Sequence, residues 1–125
     1  LAQKINNYEL LQWTNKNLED ANICLYGEIR GYYSENDYVW CHPLFQGYVD
    51  FYSIDDGDAL QKRMQEIGVT HLLVESEVET FGHYESVAIA TPVVNRANEM
   101  IKQITNSSTL LFENKQGAVY EITYS

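Results

Sequence analysis

A short polar segment after the first apolar run carries the side chains best suited to bind a small ligand. Glu28 and Arg30 are flanked by glycines, and Tyr32 and Tyr33 follow directly. A guanidinium can hold an anionic group through paired hydrogen bonds, and tyrosine rings offer flat faces to a sugar or an aromatic ring. The glycines lack the G-x-G-x-x-G spacing of a dinucleotide-binding loop. Two interpretations stay open: a plain glycine turn with surface charges, or a ligand-recognition loop.

The three histidines do not show the spacing of a metal site. His42, His71 and His83 form no H-x-x-x-H pair, and no C-x-x-C motif accompanies them. His71 lies in an apolar run and is predicted to be a hydrogen-bonded core histidine. The adjacent Cys41 and His42 would point to opposite faces of an extended segment, which disfavours a catalytic pair between them. We predict neither a metal nor a cofactor.

Carboxylates cluster at residues 55–58 and at Glu75, Glu77 and Glu79. The first group lacks the order of a calcium loop and is predicted to cap a helix. The second could form a hydrolase site only if one carboxyl were desolvated, so we expect a solvated loop. The chain also lacks a serine-hydrolase elbow and a P-loop. We predict no catalytic residue; a small hydrolase or transferase built from the histidines and glutamates is a third-ranked hypothesis.

Composition indicates one acidic globular domain. The 125 residues are 45% hydrophobic, which is enough for a single buried core. Eight Lys and Arg against 18 Asp and Glu give a net charge of −10, which argues against nucleic acid and anionic lipid as partners. No run approaches the ~20 apolar residues of a membrane span. We expect one soluble domain over residues 1–125, and a natural protein that extends beyond Leu1.

The elements that must position these side chains can be predicted from apolar periodicity. In the first half, the pattern predicts a helix over residues 3–18, strands at 22–26 and 38–41, and an irregular connection over 43–52. The two cysteines lie on the two strands. Cys24 is predicted to be a buried thiol, because a disulfide to Cys41 would require the two strands to be neighbours.

The second half alternates helix and strand. A helix capped near Asp56 ends at Gly68, and a strand follows over 69–74. A further helix is predicted to open at Thr91-Pro92, and a hairpin is predicted around residues 114–117. The core positions of the last helix are predicted to be Val94, Ala97, Ile101 and Ile104. The fold class is therefore α/β: a three-layer, Rossmann-like domain with a mixed, largely parallel sheet and a C-terminal β-hairpin.

Three phrases of the sequence occur in an order known from one family. They are the strand at 21–28 with residues 30–33, the helix–strand phrase 60–74, and the terminus 111–122. The end of the second phrase, Gly-Val-Thr-His-Leu-Leu-Val, is the most specific. Together they resemble the C-terminal extracytoplasmic domain of bacterial multi-pass GT-C-type glycosyltransferases, the dolichyl-phosphate-mannose-protein mannosyltransferase-like group.

The resemblance implies a role outside the cytoplasm. Such enzymes move a sugar from a polyprenyl-phosphate carrier to a protein, lipid or polysaccharide, and their catalytic acids lie upstream, between transmembrane helices. This chain would then be a non-catalytic periplasmic domain whose partner is the transmembrane portion of its own parent chain, and it could aid binding of a glycan, lipid or protein acceptor. The alternative is a free-standing α/β module that binds a sugar or another small molecule through Glu28, Arg30, Tyr32 and Tyr33.

Overall fold

The described part of the chain contains three helices interspersed with five strands. The computed structural model describes residues 8–27, 34–41, 49–75 and 87–124. Within these ranges the elements are α1 (Tyr8–Asn17), β1 (Asn22–Tyr26), β2 (Asp37–Trp40), α2 (Gly57–Glu66), β3 (His71–Glu75), α3 (Val87–Asn106), β4 (Thr109–Asn114) and β5 (Gly117–Glu121). None of the described helices has the length and apolar character needed to span a bilayer.

The five strands form one mixed sheet in the order β2-β1-β3-β5-β4. β1 pairs in parallel with both β2 and β3, whereas β5 runs antiparallel to β3 and β4. Because β4 and β3 both oppose β5, four of the five strands share one direction. Asn114 pairs with Gly117 across a two-residue turn, which closes the predicted hairpin. The predicted mixed, largely parallel sheet is confirmed.

Helices cover both faces of this sheet, which gives the predicted three layers. Alternate residues of a strand point to opposite faces, so β1 and β3 each contribute to two cores. The core on the α1 side contains Leu10, Leu11, Ile23, Leu25, Leu73 and Val119. The core on the side of α2 and α3 contains Cys24, Tyr26, Leu60, Met64, Leu72, Val94, Ala97, Ile101 and Ile104. All four core positions predicted for the last helix are buried.

Helix α2 begins and ends where the sequence predicted, after an Asp56 cap and before Gly68. The Asp56 carboxylate accepts a hydrogen bond of 2.8 Å from the Ala59 amide and so satisfies a free donor of the first turn. At the other end Gly68 adopts a φ of +81°, and its amide donates to the Gln65 carbonyl. A positive φ is readily available to glycine, which explains why the helix ends there.

The start of α3 differs from the prediction. The helix begins at Val87, four residues before Thr91, and Pro92 lies inside it. Proline removes one backbone donor, but this loss falls in the second turn, near a helix end whose first amides already lack intrahelical partners. The apolar, alanine-containing stretch before Thr91 continues the helix, and the missing hydrogen bond does not end it. The predicted start at Thr91-Pro92 was wrong for this reason.

Cys24 and Cys41 form a disulfide, so the prediction of a free buried thiol at Cys24 was wrong. β2 lies beside β1 in the sheet, and Cys24 is in register with Val39. The two cysteine Cα atoms are therefore 6.0 Å apart, within the usual range for a disulfide, and both side chains are fully buried. The bond links the residue that follows the edge strand β2 to the neighbouring strand β1.

Candidate functional site

The carboxyl ends of the parallel strands meet at one edge of the sheet, where open α/β folds place their ligands. Gly27 follows β1 there, and its carbonyl accepts a 2.8 Å hydrogen bond from Nε1 of Trp40 on β2. Gly27 has a φ of +125°, and a Cβ at this position would lie 2.8 Å from Cβ of Glu75. The backbone of β1 and the end of β3 are therefore in close contact, and the site requires glycine.

The residues predicted to form a ligand loop come next in the sequence. Glu28, Arg30, Tyr32 and Tyr33 follow Gly27 in the chain, and all four lie outside the described residues. Four further candidate residues also lie outside the described residues: His42, Glu77, Glu79 and His83. The recognition loop and its alternative, a plain surface turn, both stay predictions.

Glu75 is the member of the second acidic group that the structure describes. It was expected in a solvated loop, but it is the last residue of β3, pairs with Gly117 and is half-buried. Its backbone belongs to the sheet because β5 extends far enough to pair with it. Across the described ranges, His, Cys, Asp and Glu side chains nowhere form a group of three that could hold a metal ion.

A buried phenol lies just before the edge, on the side of α3. Tyr26 is 1% exposed, and its hydroxyl donates a 2.6 Å hydrogen bond to Oδ1 of Asn98. Burial raises the pKa of Tyr26 far above its ordinary value, because the phenolate would be poorly solvated. The hydroxyl therefore acts as a hydrogen-bond donor at neutral pH, not as a general base.

Segment 49–53 is held against this phenol. It was predicted to be irregular, and it forms a turn in which Val49 and Phe51 are fully buried. The Phe51 ring meets the Tyr26 ring edge-on at 5.7 Å, and Nη2 of Arg96 donates to the carbonyls of Phe51 and Tyr52 at 2.9 and 3.3 Å. The residues that make these contacts are 25 to 45 positions apart in sequence, and no local spacing signals them.

His71 lies at the start of β3, at the opposite edge of the sheet. It is half-buried, and its Nδ1 lies 2.8 Å from Oγ1 of Thr70. Its strand partner on β5 is Glu121. Burial lowers the pKa of His71, and the Glu121 carboxylate opposes this by a smaller amount. The predicted hydrogen bond is present, although the ring is only half-buried.

Stability should depend on pH through His71. Its folded-state pKa lies below the unfolded value, so the unfolded chain binds the proton more readily. This contribution is fully present above the unfolded pKa and is lost as the pH falls through the lowered folded-state pKa. We expect the free energy of unfolding to fall more in the wild type than in His71→Gln between about pH 7 and about pH 5. Urea unfolding at both pH values measures this difference, and equal falls would contradict it.

A second variant separates the effect of burial on the pKa of His71 from the effect of the Glu121 carboxylate. The Glu121 carboxylate favours the imidazolium, so Glu121→Gln should move the NMR titration midpoint of His71 further below its ordinary value. A midpoint that rises in this variant would show that the assigned interaction has the wrong sign.

The same edge of the sheet, where β1 and β2 begin, contains a groove of about 750 Å³. Its lining residues are Asn22, Ser34, Glu35, Asn36, Asp37, Tyr38, Val39 and Ile67. Six of these eight are Asn, Ser, acidic or tyrosine side chains. The volume is typical of small-molecule sites, which measure about 300–1,000 Å³. No local sequence pattern signals this groove, because its walls come from three separate segments.

Hydrogen bonds fix the wall of the groove that precedes β2. Oδ1 of Asn36 accepts from the Ala21 amide, and Nδ2 of Asn36 donates to the Thr14 carbonyl, each at 3.3 Å. The Glu35 amide donates to Oδ1 of Asn15 at 2.7 Å. The turn is thereby attached to the end of α1 and to the residue before β1.

The opposite wall is fixed at the start of β1. Nδ2 of Asn22 donates to the Ile67 carbonyl at 3.2 Å, which ties β1 to the end of α2. The Asn22 amide also donates to Oγ1 of Thr70 at 2.9 Å. Both walls are therefore held in place without a ligand.

Neither a known protein family nor a curated protein matches the sequence. Among solved structures, one match is the C-terminal globular domain of an oligosaccharyltransferase from Archaeoglobus fulgidus. It aligns with a TM-score of 0.57 and 13% identity, over 95% of this chain and 97% of that chain. The two chains share a fold. At this identity the likeness concerns the architecture alone, and it extends from one end of each domain to the other.

Proposed function

We propose that this chain is a non-catalytic, extracytoplasmic accessory domain of an integral-membrane glycosyltransferase of the GT-C type. The observation that carries the proposal is the alignment with a C-terminal globular domain of an oligosaccharyltransferase over nearly the whole length of both chains. A match of this extent includes nearly all residues of both domains. It therefore supports an equivalent place for this domain beside a membrane-embedded enzyme.

The finer assignment rests on the sequence resemblance. The helix–strand phrase ending in Gly-Val-Thr-His-Leu-Leu-Val resembles the dolichyl-phosphate-mannose-protein mannosyltransferase-like group. On this proposal the parent enzyme uses a sugar linked to a polyprenyl phosphate, and its catalytic acids lie upstream. The domain contacts the transmembrane portion of its own chain and aids binding of the acceptor. Glu28, Arg30, Tyr32 and Tyr33 are the candidate ligand-binding residues of the alternative, a free-standing module.

The disulfide supports the extracytoplasmic location independently of the comparison. Cys24 and Cys41 are joined and fully buried. Disulfides form and persist in oxidising compartments such as the bacterial periplasm or the cell exterior, and they are rare in the cytosol of mesophiles. A domain that faces the outside of the membrane is in the compartment where this bond is formed.

Fractionation of the source cells tests this proposal. An antibody against residues 1–125 should detect a protein several times heavier than 14.4 kDa that stays with the membrane pellet in alkaline carbonate and is released by detergent. Protease added outside intact spheroplasts should remove the epitope, while a cytoplasmic marker survives. A carbonate-soluble product near 14.4 kDa would contradict the proposal and favour the free-standing binding module.

A further inference from the structure

We propose that the groove at the amino ends of β1 and β2 binds a neutral saccharide. The ring of Tyr38 would pack on the C–H face of a sugar, and the carboxylate of Glu35, in the turn before β2, would accept hydrogen bonds from its hydroxyl groups. This site goes beyond the proposed function, because it lies at the edge of the sheet opposite to Gly27. It is a second binding region with its own chemistry.

Charge in the groove selects the class of ligand. Glu35 and Asp37 are exposed, and none of the described residues that line the groove is Lys, Arg or His. A phosphate or carboxylate ligand would meet two negative charges and no cation among these described residues, in a chain of net charge −10. Hydroxyl groups are the complementary partners, because a carboxylate is an acceptor and hydrogen bonds to an ionised group are stronger than neutral ones.

Tyr38 supplies the apolar part of the recognition. It is a large side chain that the fold leaves 43% exposed, on an edge strand and in the lining of the groove. A tyrosine ring combines a flat apolar face with a polar tip and has few rotatable bonds to immobilise. A pyranose has the matching character, with an apolar C–H face and a rim of hydroxyl groups.

The structure also reduces the cost of binding. Asn36 holds the turn before β2 to the Thr14 carbonyl and the Ala21 amide, and Asn22 ties the other wall to Ile67. A groove whose walls are already fixed loses little conformational entropy when a ligand enters. The exposed Glu35, Asp37 and Tyr38 project from this fixed frame.

NMR titration of the 15N-labelled protein tests the proposal with three neutral disaccharides: α-1,2-mannobiose, maltose and N,N′-diacetylchitobiose. At least one should shift amide signals of residues 22 and 34–39, with a dissociation constant in the range of about 0.1–10 mM that does not change with salt. Tyr38→Ala should weaken binding at least tenfold, whereas Tyr38→Phe should retain most of the affinity. Tyr52→Ala is the matched control, because Tyr52 is 42% exposed but does not line the groove.

Three results would overturn the proposal. The first is the absence of shifts in this groove with all three sugars at about 50 mM. The second is equal weakening by Tyr38→Ala and Tyr52→Ala, with both variants keeping wild-type amide dispersion. The third is salt-sensitive binding of trilysine at the groove without saccharide binding, which would assign the carboxylates to a cationic peptide. Each result is independent of the membrane fractionation, so the two proposals can fail separately.

Discussion

Removal of the Cys24–Cys41 disulfide is expected to lower the free energy of unfolding by about 3 kcal/mol. The bond closes a loop with a sequence separation of 17 residues and so restricts the unfolded chain. Its effect on the folded state is local, because it joins the edge strand β2 to β1. The double variant Cys24→Ala/Cys41→Ala should show this loss in urea unfolding at neutral pH.

Reductant provides the control for this prediction. Dithiothreitol should destabilise the wild type by a similar amount and should leave the double variant unchanged. A double variant as stable as the oxidised wild type, to within about 0.5 kcal/mol, would show that the bond does not stabilise the fold. The same loss should increase hydrogen exchange first in β2, since β2 pairs with only one neighbouring strand.

Gly27→Ala is expected to destabilise the protein by about 3 kcal/mol or more, because two costs combine at this position. A φ of +125° is unfavourable for a residue with a side chain, and the new Cβ would lie 2.8 Å from Cβ of Glu75. Neither atom is at the flexible end of a side chain, so β1 and β3 would have to move apart. Thermal and urea unfolding would measure the loss.

Gly68→Ala is the matched control for this clash. Gly68 also has a positive φ, of +81°, but the nearest atom to a new Cβ would be Nδ2 of Asn22, at 3.7 Å. Only the conformational cost of about 1–2 kcal/mol should remain in this variant. Equal losses in Gly27→Ala and Gly68→Ala would show that the contact with Glu75 adds nothing. A larger loss at Gly27 would confirm close packing at the carboxyl edge.

Gly27→Ala and loss of the disulfide should affect different parts of the sheet: the carboxyl edge and the groove at the amino edge. Gly27 lies at the carboxyl edge of the sheet and precedes Glu28, Arg30, Tyr32 and Tyr33 in the sequence, whereas Tyr38 lines the groove at the amino edge. The disulfide attaches β2, which contains Tyr38, to β1, which Gly27 follows. A reduced protein should therefore lose saccharide affinity as β2 detaches, even though neither cysteine lines the groove.

Local sequence signals predicted the elements whose stabilising contacts are close in the chain. Asp56 caps α2 three residues away, Gly68 ends it, and the turn at residues 114–117 closes the hairpin. The spacing of Val94, Ala97, Ile101 and Ile104 placed one face of α3 in the core. Contacts over three or four residues depend on backbone geometry alone, so such patterns can be read directly. The start of α3 was misjudged because proline was assigned to the first turn.

The sequence by itself therefore determined the α/β class, the mixed sheet, the hairpin and both ends of α2. Tertiary structure alone decided that β2 lies beside β1, that Cys24 bonds Cys41, that Tyr26 donates to Asn98, and that a groove forms around Tyr38. Cys24 and Cys41 are 17 residues apart in sequence, and Tyr26 and Asn98 are 72 residues apart. Strand order and such pairings follow from the free energy of packing the whole domain, and no periodicity of 2 or 3.6 residues encodes them.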